Sequence, residues 1–279
     1  MESVSAVKMR KSQLRAFESR PYVHAAMRIL ARVSQSDGAL EHPLAQVRAT
    51  GKDLVVLVTS DKGLAGSVNS AVLKQAEQLR KSGTSFDVIA IGRKAVEYAE
   101  REGLTIIERY TNVRDDVTVA DVYSMAAGVM RAYEDTKTYR EVRVIYQNFI
   151  STFEQAPTNR KVLPLDPAEI HYIMQGIKPK HGKFSDSEIA GDGIVNYTIE
   201  PSPKAVLDAL IPQLVQILLY HALLESKASE HSARMVAMKN ATDKSKEVVK
   251  ALTIKFNKAR QAKITAEISE ITAGVAALE

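Results

Sequence analysis

Apolar and polar residues follow different patterns along the chain, and the changes between these patterns divide it into three parts. In the first part, residues 1–36, apolar residues recur about every three or four positions, which places them on one face of a helix. They are Val4, Val7, Leu14, Tyr22, Ala26, Ile29 and Val33. The sequence Ser36-Asp37-Gly38 follows, and such turn-forming residues typically end a helix. We therefore predict one N-terminal helix over 1–36.

The middle part alternates between short apolar runs and amphipathic segments. Strands are predicted at 53–60, 86–92, 104–110 and 141–150, and helices at 69–81, 93–102 and 117–135. Strands that are almost continuously apolar, separated by amphipathic helices, are typical of a parallel sheet covered on both faces. The predicted fold class is therefore α/β, with a central Rossmann-like domain over 50–200.

The end of this domain differs in composition. Residues that interrupt regular structure are frequent there, among them Pro157, Pro164, Pro167, Pro201, Pro203, Gly182, Gly191 and Gly193. Because prolines and glycines punctuate helices and strands, we predict a long loop over 151–203. One short strand is predicted within it, at 194–200.

The last part is a single long helical pattern. From residue 213 to the end there are 67 residues, with no proline and one glycine. At about 1.5 Å per residue, a helix of this length measures roughly 100 Å, which no small domain can cover. Apolar and small residues form a heptad seam at Met235, Met238, Thr242, Ser245, Val249, Leu252, Phe256 and Ala259, and the seam restarts one residue late at Ile264, Ile268, Ile271, Val275 and Leu278.

This seam is weak because threonine and serine stand where leucine is expected, which indicates a second helix beside it. The N-terminal helix is the obvious candidate. We therefore predict a long C-terminal helix over 204–279 that forms an antiparallel coiled coil with the N-terminal helix.

The net charge of +5 is unevenly distributed along the chain. Residues 1–36 carry +5 and 234–263 carry +7, whereas 264–279 carry −3 and the remainder carries −4. Basic ends of this kind favour an acidic partner, although two solvated helix faces are the simpler interpretation. A nucleic acid is an alternative partner, but Phe256 is the one aromatic residue in the basic run, which disfavours a base-stacking surface.

The composition excludes several kinds of chemistry. Cysteine is absent, so the chain has no disulfide, thiolate zinc site or cysteine nucleophile. No uninterrupted run of about 18 apolar residues predicts a membrane span, and the first residues do not resemble a secretory signal. The chain is therefore expected in the cytosol. Histidines and carboxylates are scattered, so we predict no catalytic, cofactor-binding or metal-binding residues.

One glycine-containing segment lies where α/β proteins often bind phosphates, between a strand and a helix. This segment, TSDKGLAGSVN at 59–69, matches neither the P-loop nor the dinucleotide-binding pattern. We interpret it as a tight strand-to-helix connection, with an enzyme that binds nucleotide there as the less favoured alternative.

Several longer segments carry a resemblance to a known family. SARMVAMKNATD at 232–243 and FNKARQAKITAEISEI at 256–271 closely resemble the gamma subunit of the F-type ATP synthase. The resemblance extends in the same order to SVSAVKMRKSQ at 3–13, RPY at 20–22, VTSDKGLAG at 58–66 and EPSPK at 200–204. It therefore covers the chain from end to end.

The resemblance implies a non-catalytic rotor shaft in a proton-translocating ATP synthase. The terminal helices, at 1–36 and 204–279, would turn inside a ring of alternating alpha and beta subunits. The α/β domain would stand on the membrane c-ring beside the epsilon subunit, peripheral to the cytoplasmic face of a bacterial plasma membrane. Nucleotide chemistry would belong to the beta subunits, and a nucleic-acid-binding protein is the alternative.

The resemblance also assigns contact residues. Arg260 and Gln261 match a pair that contacts a beta-subunit loop, Thr265 matches a polar shaft residue nearby, and Met1 matches a shaft methionine. Lys255 and Lys258 complete a basic face of the shaft. Family members begin roughly 20–25 residues earlier, with a basic helix that continues the coiled coil. The regulatory cysteines of plant members are absent.

Overall fold

The structure is a computed structural model that describes residues 2–33, 42–136, 138–165, 200 and 202–276. In chain order, its elements are α1 (Glu2–Val33), β1 (Lys52–Val58), α2 (Val68–Lys81), β2 (Phe86–Ile91), α3 (Arg93–Arg101), β3 (Ile106–Tyr110), α4 (Val119–Thr136), β4 (Tyr139–Phe149), β5 (Gln155–Leu163) and α5 (Pro203–Ala276). A five-stranded sheet in the order β3-β2-β1-β4-β5 forms the centre of the body.

Four of the five strands are parallel. Strand β1 pairs with β2 and β4 on its two sides, and β3 extends the sheet beyond β2. Strand β5 is antiparallel to β4, because the chain reverses in a tight turn at 151–154 where Ile150 N and Ser151 N donate to the Glu154 carbonyl. The body is therefore an α/β fold whose parallel sheet has one antiparallel edge.

The two faces of the sheet bury different helices. Because successive strand side chains point to opposite faces, Val56 and Ile89 join the larger core cluster, which includes residues of α4 and α5. Their neighbours Val55 and Val88 join a second cluster with residues of α2 and α3. This burial on both faces explains why β1 and β2 are almost continuously apolar.

The C-terminal helix α5 begins at the sheet and continues far beyond it. Ser202 Oγ accepts a hydrogen bond from Ala205 N at 3.2 Å, and Pro203 is the first helical residue, a combination typical of a helix start. In its first half, Leu214 and Leu219 are fully buried against the sheet and α4. This packing fixes α5 to the body.

The same half of α5 explains the one strongly apolar window in the described residues. The helix Lys204–Gly274 contains an 18-residue window with a mean hydropathy of 1.5, long and apolar enough to cross a membrane. The expectation based on uninterrupted apolar runs missed this window. Since 56% of the window is buried within the fold, we attribute its apolar character to packing in the core.

Helix α1 lies against α5 and runs in the opposite direction. Ser5 and Lys8, near the start of α1, line a cavity together with His231. Further along α1, Arg15 and Glu18 line another cavity together with Gln213. Residue numbers thus rise along α1 as they fall along α5, which confirms the predicted antiparallel pairing of the terminal helices.

Two sequence predictions need correction. The segment predicted as a loop over 151–203 contains a full strand, β5, whose pairing with β4 was not visible in a polar sequence with Pro157 as its third residue. The short strand predicted at 194–200 lies almost wholly outside the described residues. The expected cover of the heptad seam by α1 is also wrong, since the described contacts of α1 are with the first half of α5, whereas Leu252 and Phe256 of the seam are exposed.

Candidate functional site

The second half of α5 projects from the body without a cover. Residues 214–232 are mostly buried, 233–238 are half-buried, and 239–274 are exposed throughout. Large apolar side chains are among the exposed ones, at Val248, Val249, Leu252, Ile254, Phe256, Ile264, Ile268 and Ile271. The helical part from 239 to 276 is about 57 Å long. We call this segment, 239–276, the projecting arm.

All described site residues predicted from the sequence lie on the projecting arm. Lys255, Lys258, Arg260, Gln261 and Thr265 are exposed there, and Met1 lies outside the described residues. The structure therefore leaves these side chains free to meet another chain. Whether that chain is a beta subunit stays a prediction.

The arm presents its polar groups on more than one face. Lys258, Gln261 and Thr265 follow one another at steps of three and four residues, so they share a face, whereas Arg260 lies on a different one. Thr265 Oγ1 donates to the Gln261 carbonyl at 2.9 Å, which ties these two residues within one turn. The Gln261 side chain remains exposed.

The glycine-containing segment lies at the base of the arm and is held by its own polar groups. Ser60 N donates to Asn69 Oδ1 at 2.9 Å. Asp61 Oδ1 accepts hydrogen bonds from Arg93 N and Asn112 N, both at 3.0 Å. Asp61 thus ties together the three loops that follow β1, β2 and β3.

This arrangement favours the structural interpretation of the segment. A helix N-terminus at the end of a parallel strand is the place where α/β proteins bind phosphate. At the start of α3, the Asp61 carboxylate already bonds the first backbone N–H, that of Arg93. Among the described residues there is also no group of three or more side chains suited to hold a metal.

A second polar cluster joins the body to both terminal helices. Asp115, between β3 and α4, accepts hydrogen bonds from Lys8 of α1 at 2.7 Å and from His231 of α5 at 3.0 Å. Lys227 Nζ lies 3.7 Å from Asp115 and donates to the Val113 carbonyl at 2.9 Å. We call Lys8, Asp115, Lys227 and His231 the junction cluster. It lines a cavity of about 670 Å³.

The electrostatics of the junction cluster favour an ionised carboxylate. The hydrogen bond with His231 lowers the pKa of Asp115 well below its usual range, and the bond from Lys8 acts in the same direction, against partial burial. This cluster could not be predicted from the sequence, because Lys8 and His231 lie more than one hundred positions from Asp115. Only the fold brings them together.

Next to the junction cluster, Arg234 connects α5 to the glycine-containing segment. Its guanidinium lies 2.8 Å from Glu230 and contacts the carbonyls of Lys62 and Gly63 at 3.4 and 3.3 Å. Arg234 is thus the last residue of α5 with a described polar bond to the body. The arm begins one turn later.

These features define a class of protein. A long helix with exposed apolar residues, fixed at its base to an α/β body, is typical of a subunit of a larger assembly. Its exposed arm offers apolar surface of the kind that generally marks an interaction site.

Comparison with known proteins agrees with this class and defines it further. The family model described as ATP synthase matches residues 1–278. The ATP synthase gamma chain of Pelotomaculum thermopropionicum is 37% identical over 280 residues, covering 100% of this chain and 92% of its own. That of Roseiflexus castenholzii is 38% identical over 286 residues, covering 100% and 91%.

Solved structures give the same fold. The central stalk and c-ring structure of Tetrahymena thermophila mitochondrial ATP synthase contains a chain with a TM-score of 0.62 and 22% identity, covering 87% of this chain and 97% of that one. A chain in the Euglena gracilis mitochondrial ATP synthase has a TM-score of 0.57 and 16% identity, covering 99% and 94%.

The chain belongs to the family of ATP synthase gamma chains, the rotor subunits of the central stalk. The resemblance and the fold class predicted from the sequence are thereby confirmed. The alternative of a nucleic-acid-binding protein has no support from these comparisons.

Proposed function

We propose that this chain is the non-catalytic shaft of a proton-driven ATP synthase at the cytoplasmic face of a bacterial plasma membrane. In this proposal, the projecting arm turns inside a ring of alternating alpha and beta subunits. The body stands on the c-ring beside the epsilon subunit and passes the rotation of the c-ring to the arm. The observation that carries the proposal is the projecting arm itself, a helix of about 57 Å with uncovered apolar residues.

The exposed apolar side chains support a surrounding sleeve of other subunits. Phe256 is 65% exposed and Ile271 is 67% exposed. Burying one large apolar side chain completely stabilises a protein by about 1.5–3 kcal/mol, so an arm carrying eight such residues is strongly favoured inside an apolar sleeve. Large exposed apolar patches generally mark interaction sites on proteins.

Charge distinguishes the two ends of the arm. Residues 239–263 carry most of the basic run, whereas 264–279 carry no lysine or arginine and three glutamates. We therefore place the lower arm against acidic surface of the beta subunits and the tip in a largely apolar sleeve. Rotation would bring the same basic face to each beta subunit in turn.

Individual residues have distinct roles in this proposal. Arg260 and Gln261 would bind a beta-subunit loop, Thr265 would contact the ring one turn further on, and Met1 would lie against the beta subunits beside the arm. The guanidinium of Arg260 is suited to a carboxylate because its planar N–H groups can form two parallel hydrogen bonds. Lys255 and Lys258 would contribute attraction without that directional geometry.

Charge reversal on the arm tests the proposed contact. We expect the triple variant Lys255→Glu, Lys258→Glu and Arg260→Glu to lose ATP-driven proton pumping in reconstituted vesicles, since each acidic contact becomes repulsive. Far-UV circular dichroism should show that the α/β body remains folded, because all three residues lie on the arm.

The matched control reverses three exposed basic residues on the body. Lys74→Glu, Lys81→Glu and Arg101→Glu make the same change in net charge on α2 and α3. This control should pump protons at the wild-type rate. Equal pumping by both triple variants would contradict the proposed contact with the beta subunits.

Hydrogen exchange tests the sleeve. Amides of 264–276 should exchange fast in the isolated chain, where their side chains have no described cover, and slowly in the assembled complex. Slow exchange of these amides in the monomeric chain would show that the arm is protected by its own fold.

Nucleotide titration tests the non-catalytic assignment. The isolated chain should show no saturable binding of ATP. Saturable binding that is lost on Lys62→Ala would instead assign a nucleotide site to the glycine-containing segment.

A further inference from the structure

One carboxylate of the body forms polar links to both terminal helices. Within the described residues, α1 packs mainly against α5 and makes few contacts with the strands. Lys8 of α1 donates to Asp115 of the body, and the same carboxylate binds His231 of α5. Asp115 therefore joins three parts of the molecule: the body to which it belongs, α1 and α5.

Burial makes this contact stronger than an ordinary surface ion pair. The side chains of Lys227 and His231 are only 10% and 4% exposed, so water solvates them poorly. A buried ammonium group is costly unless an opposite charge and hydrogen bonds compensate it. Asp115 at 3.7 Å, Glu230 at 3.8 Å and the Val113 carbonyl at 2.9 Å provide that compensation for Lys227.

The location of the cluster gives it mechanical importance. On α5, His231 of the junction cluster lies eight residues, just over two helical turns, before residue 239, where the arm becomes fully exposed. The arm extends about 57 Å from there, so each degree of play at its base displaces the tip by about 1 Å. A rotor that must present the same face to each catalytic site needs little play at this point.

We propose that Asp115 is the positioning residue that fixes the direction in which both terminal helices leave the body. It does so by binding Lys8 and His231 at once and by neutralising Lys227. This inference rests on the rotor role proposed above. It assigns to the β3–α4 loop the task of holding the two helices in one orientation relative to the sheet.

The neighbouring residue offers a matched control. Asp116 is partly exposed and its carboxylate pairs with Arg114 at 2.8 Å, so Asp116→Asn removes the same charge one position away. Asp115→Asn removes the charge at the junction, and Asp115→Glu keeps the charge on a longer side chain. If the carboxylate at position 115 positions the helices, only Asp115→Asn should loosen them strongly, whereas Asp115→Glu should do so less and Asp116→Asn not at all.

The first test measures play at the base of the arm in the complex. The alpha–beta ring is fixed to a surface, a bead is attached to the α/β body, and the angular spread is recorded during a long dwell. We expect Asp115→Asn to widen the angular distribution at least twofold relative to the wild type. Asp115→Glu should remove at least half of that extra width, and Asp116→Asn should have the wild-type width. Equal widths for Asp115→Asn and Asp116→Asn would overturn the proposal.

The second test needs no assembly. In the full chain, amides of 4–14 and 224–234 should exchange at least threefold faster in Asp115→Asn than in Asp116→Asn. Equal exchange in the two variants would overturn the role of Asp115. Failure of the wild-type chain to assemble with alpha and beta subunits would instead contradict the rotor proposal and leave this exchange comparison intact.

Discussion

Replacement of Gly92 by alanine should destabilise the body more than replacement of any exposed glycine. Gly92 lies between β2 and α3 with φ at +90°, a conformation that side chains disfavour. A Cβ at this position would lie 2.2 Å from the Thr59 carbonyl oxygen, which is a backbone atom in the neighbouring strand connection. Relief of this contact requires a shift of the backbone at the end of β1 or at the end of β2.

Two costs add at this position. At φ +90° and ψ 145° the backbone lies in a region that essentially only glycine adopts, and a side chain there costs about 1–3 kcal/mol. Forcing extra volume into a packed site costs about 1–3 kcal/mol. We therefore expect Gly92→Ala to lower the free energy of unfolding by about 2–6 kcal/mol. The displacement would also disturb Thr59 and Asp61, and with them the base of the arm.

Two other glycines separate these costs. Gly103 has φ at +65° with nothing within 4 Å of an added Cβ, so Gly103→Ala should cost about 1–2 kcal/mol from conformation alone. Gly63 has neither a positive φ nor a close neighbour, so Gly63→Ala should be neutral or stabilise the fold by up to about 1 kcal/mol.

Urea unfolding followed by far-UV circular dichroism gives the three free energies, since the chain has no tryptophan to report by fluorescence. The expected order of destabilisation is Gly92→Ala, then Gly103→Ala, then Gly63→Ala. A Gly92→Ala variant no less stable than Gly103→Ala would refute the close approach between Gly92 and Thr59.

Two further predictions concern the body. Burial, and then the hydrogen bond from its hydroxyl to Asp87 at 3.0 Å, raise the pKa of Tyr139 to about 12. Stability from this neutral hydroxyl is present below the unfolded pKa of 10.0 and is lost as pH rises towards 12, so the wild type should lose more stability over that range than Tyr139→Phe, measured by urea unfolding at each pH. Leu219→Ala, at a fully buried position of α5, should lower the free energy of unfolding by about 2–5 kcal/mol. Leu252→Ala, at an exposed position of the same helix, should change the free energy of unfolding of the isolated chain by less than about 0.5 kcal/mol. Equal effects of the two variants on thermal unfolding would contradict the burial of the first half of α5.

The sequence was a good guide to elements whose stability is local or whose burial is complete. The apolar runs predicted at 53–60, 86–92 and 141–150 overlap β1, β2 and β4, because strands covered on both faces consist mostly of apolar residues. The helices predicted at 69–81 and 93–102 differ from α2 and α3 by one residue. Helix ends are the least sharply encoded part of such patterns.

Strand β5 shows where this kind of reasoning fails. Its sequence, QAPTNRKVL, is polar and half-buried, and Pro157 argues against a central strand. Pairing with β4 over the length of the strand stabilises it instead, and an edge position tolerates the proline. Because this pairing depends on a partner strand rather than on the local pattern, periodicity could not reveal it.

In the candidate site, too, some residues could be predicted from a local motif and others are brought together only by the fold. Residues of the projecting arm, such as Arg260 and Gln261, could be identified from one continuous motif. The junction cluster could not, because Lys8, Asp115 and His231 come from three distant segments and no spacing rule connects them. Asp61 was visible as part of a glycine-containing segment, but its bonds to Arg93 and Asn112 depend on the order of the strands.

Because α5 is continuous, its length determines how the tip of the arm is rotated relative to the body. One unbroken helix of 74 residues runs from the sheet to the tip of the arm, so the orientation of the tip relative to the body is set by the number of residues between them. Deleting one residue within 239–255 would turn Arg260 and everything beyond it by about 100° and lower it by about 1.5 Å, whereas deleting seven would restore nearly the original azimuth. The number of residues in the arm therefore determines at which rotational angle each face of the tip meets a given neighbour.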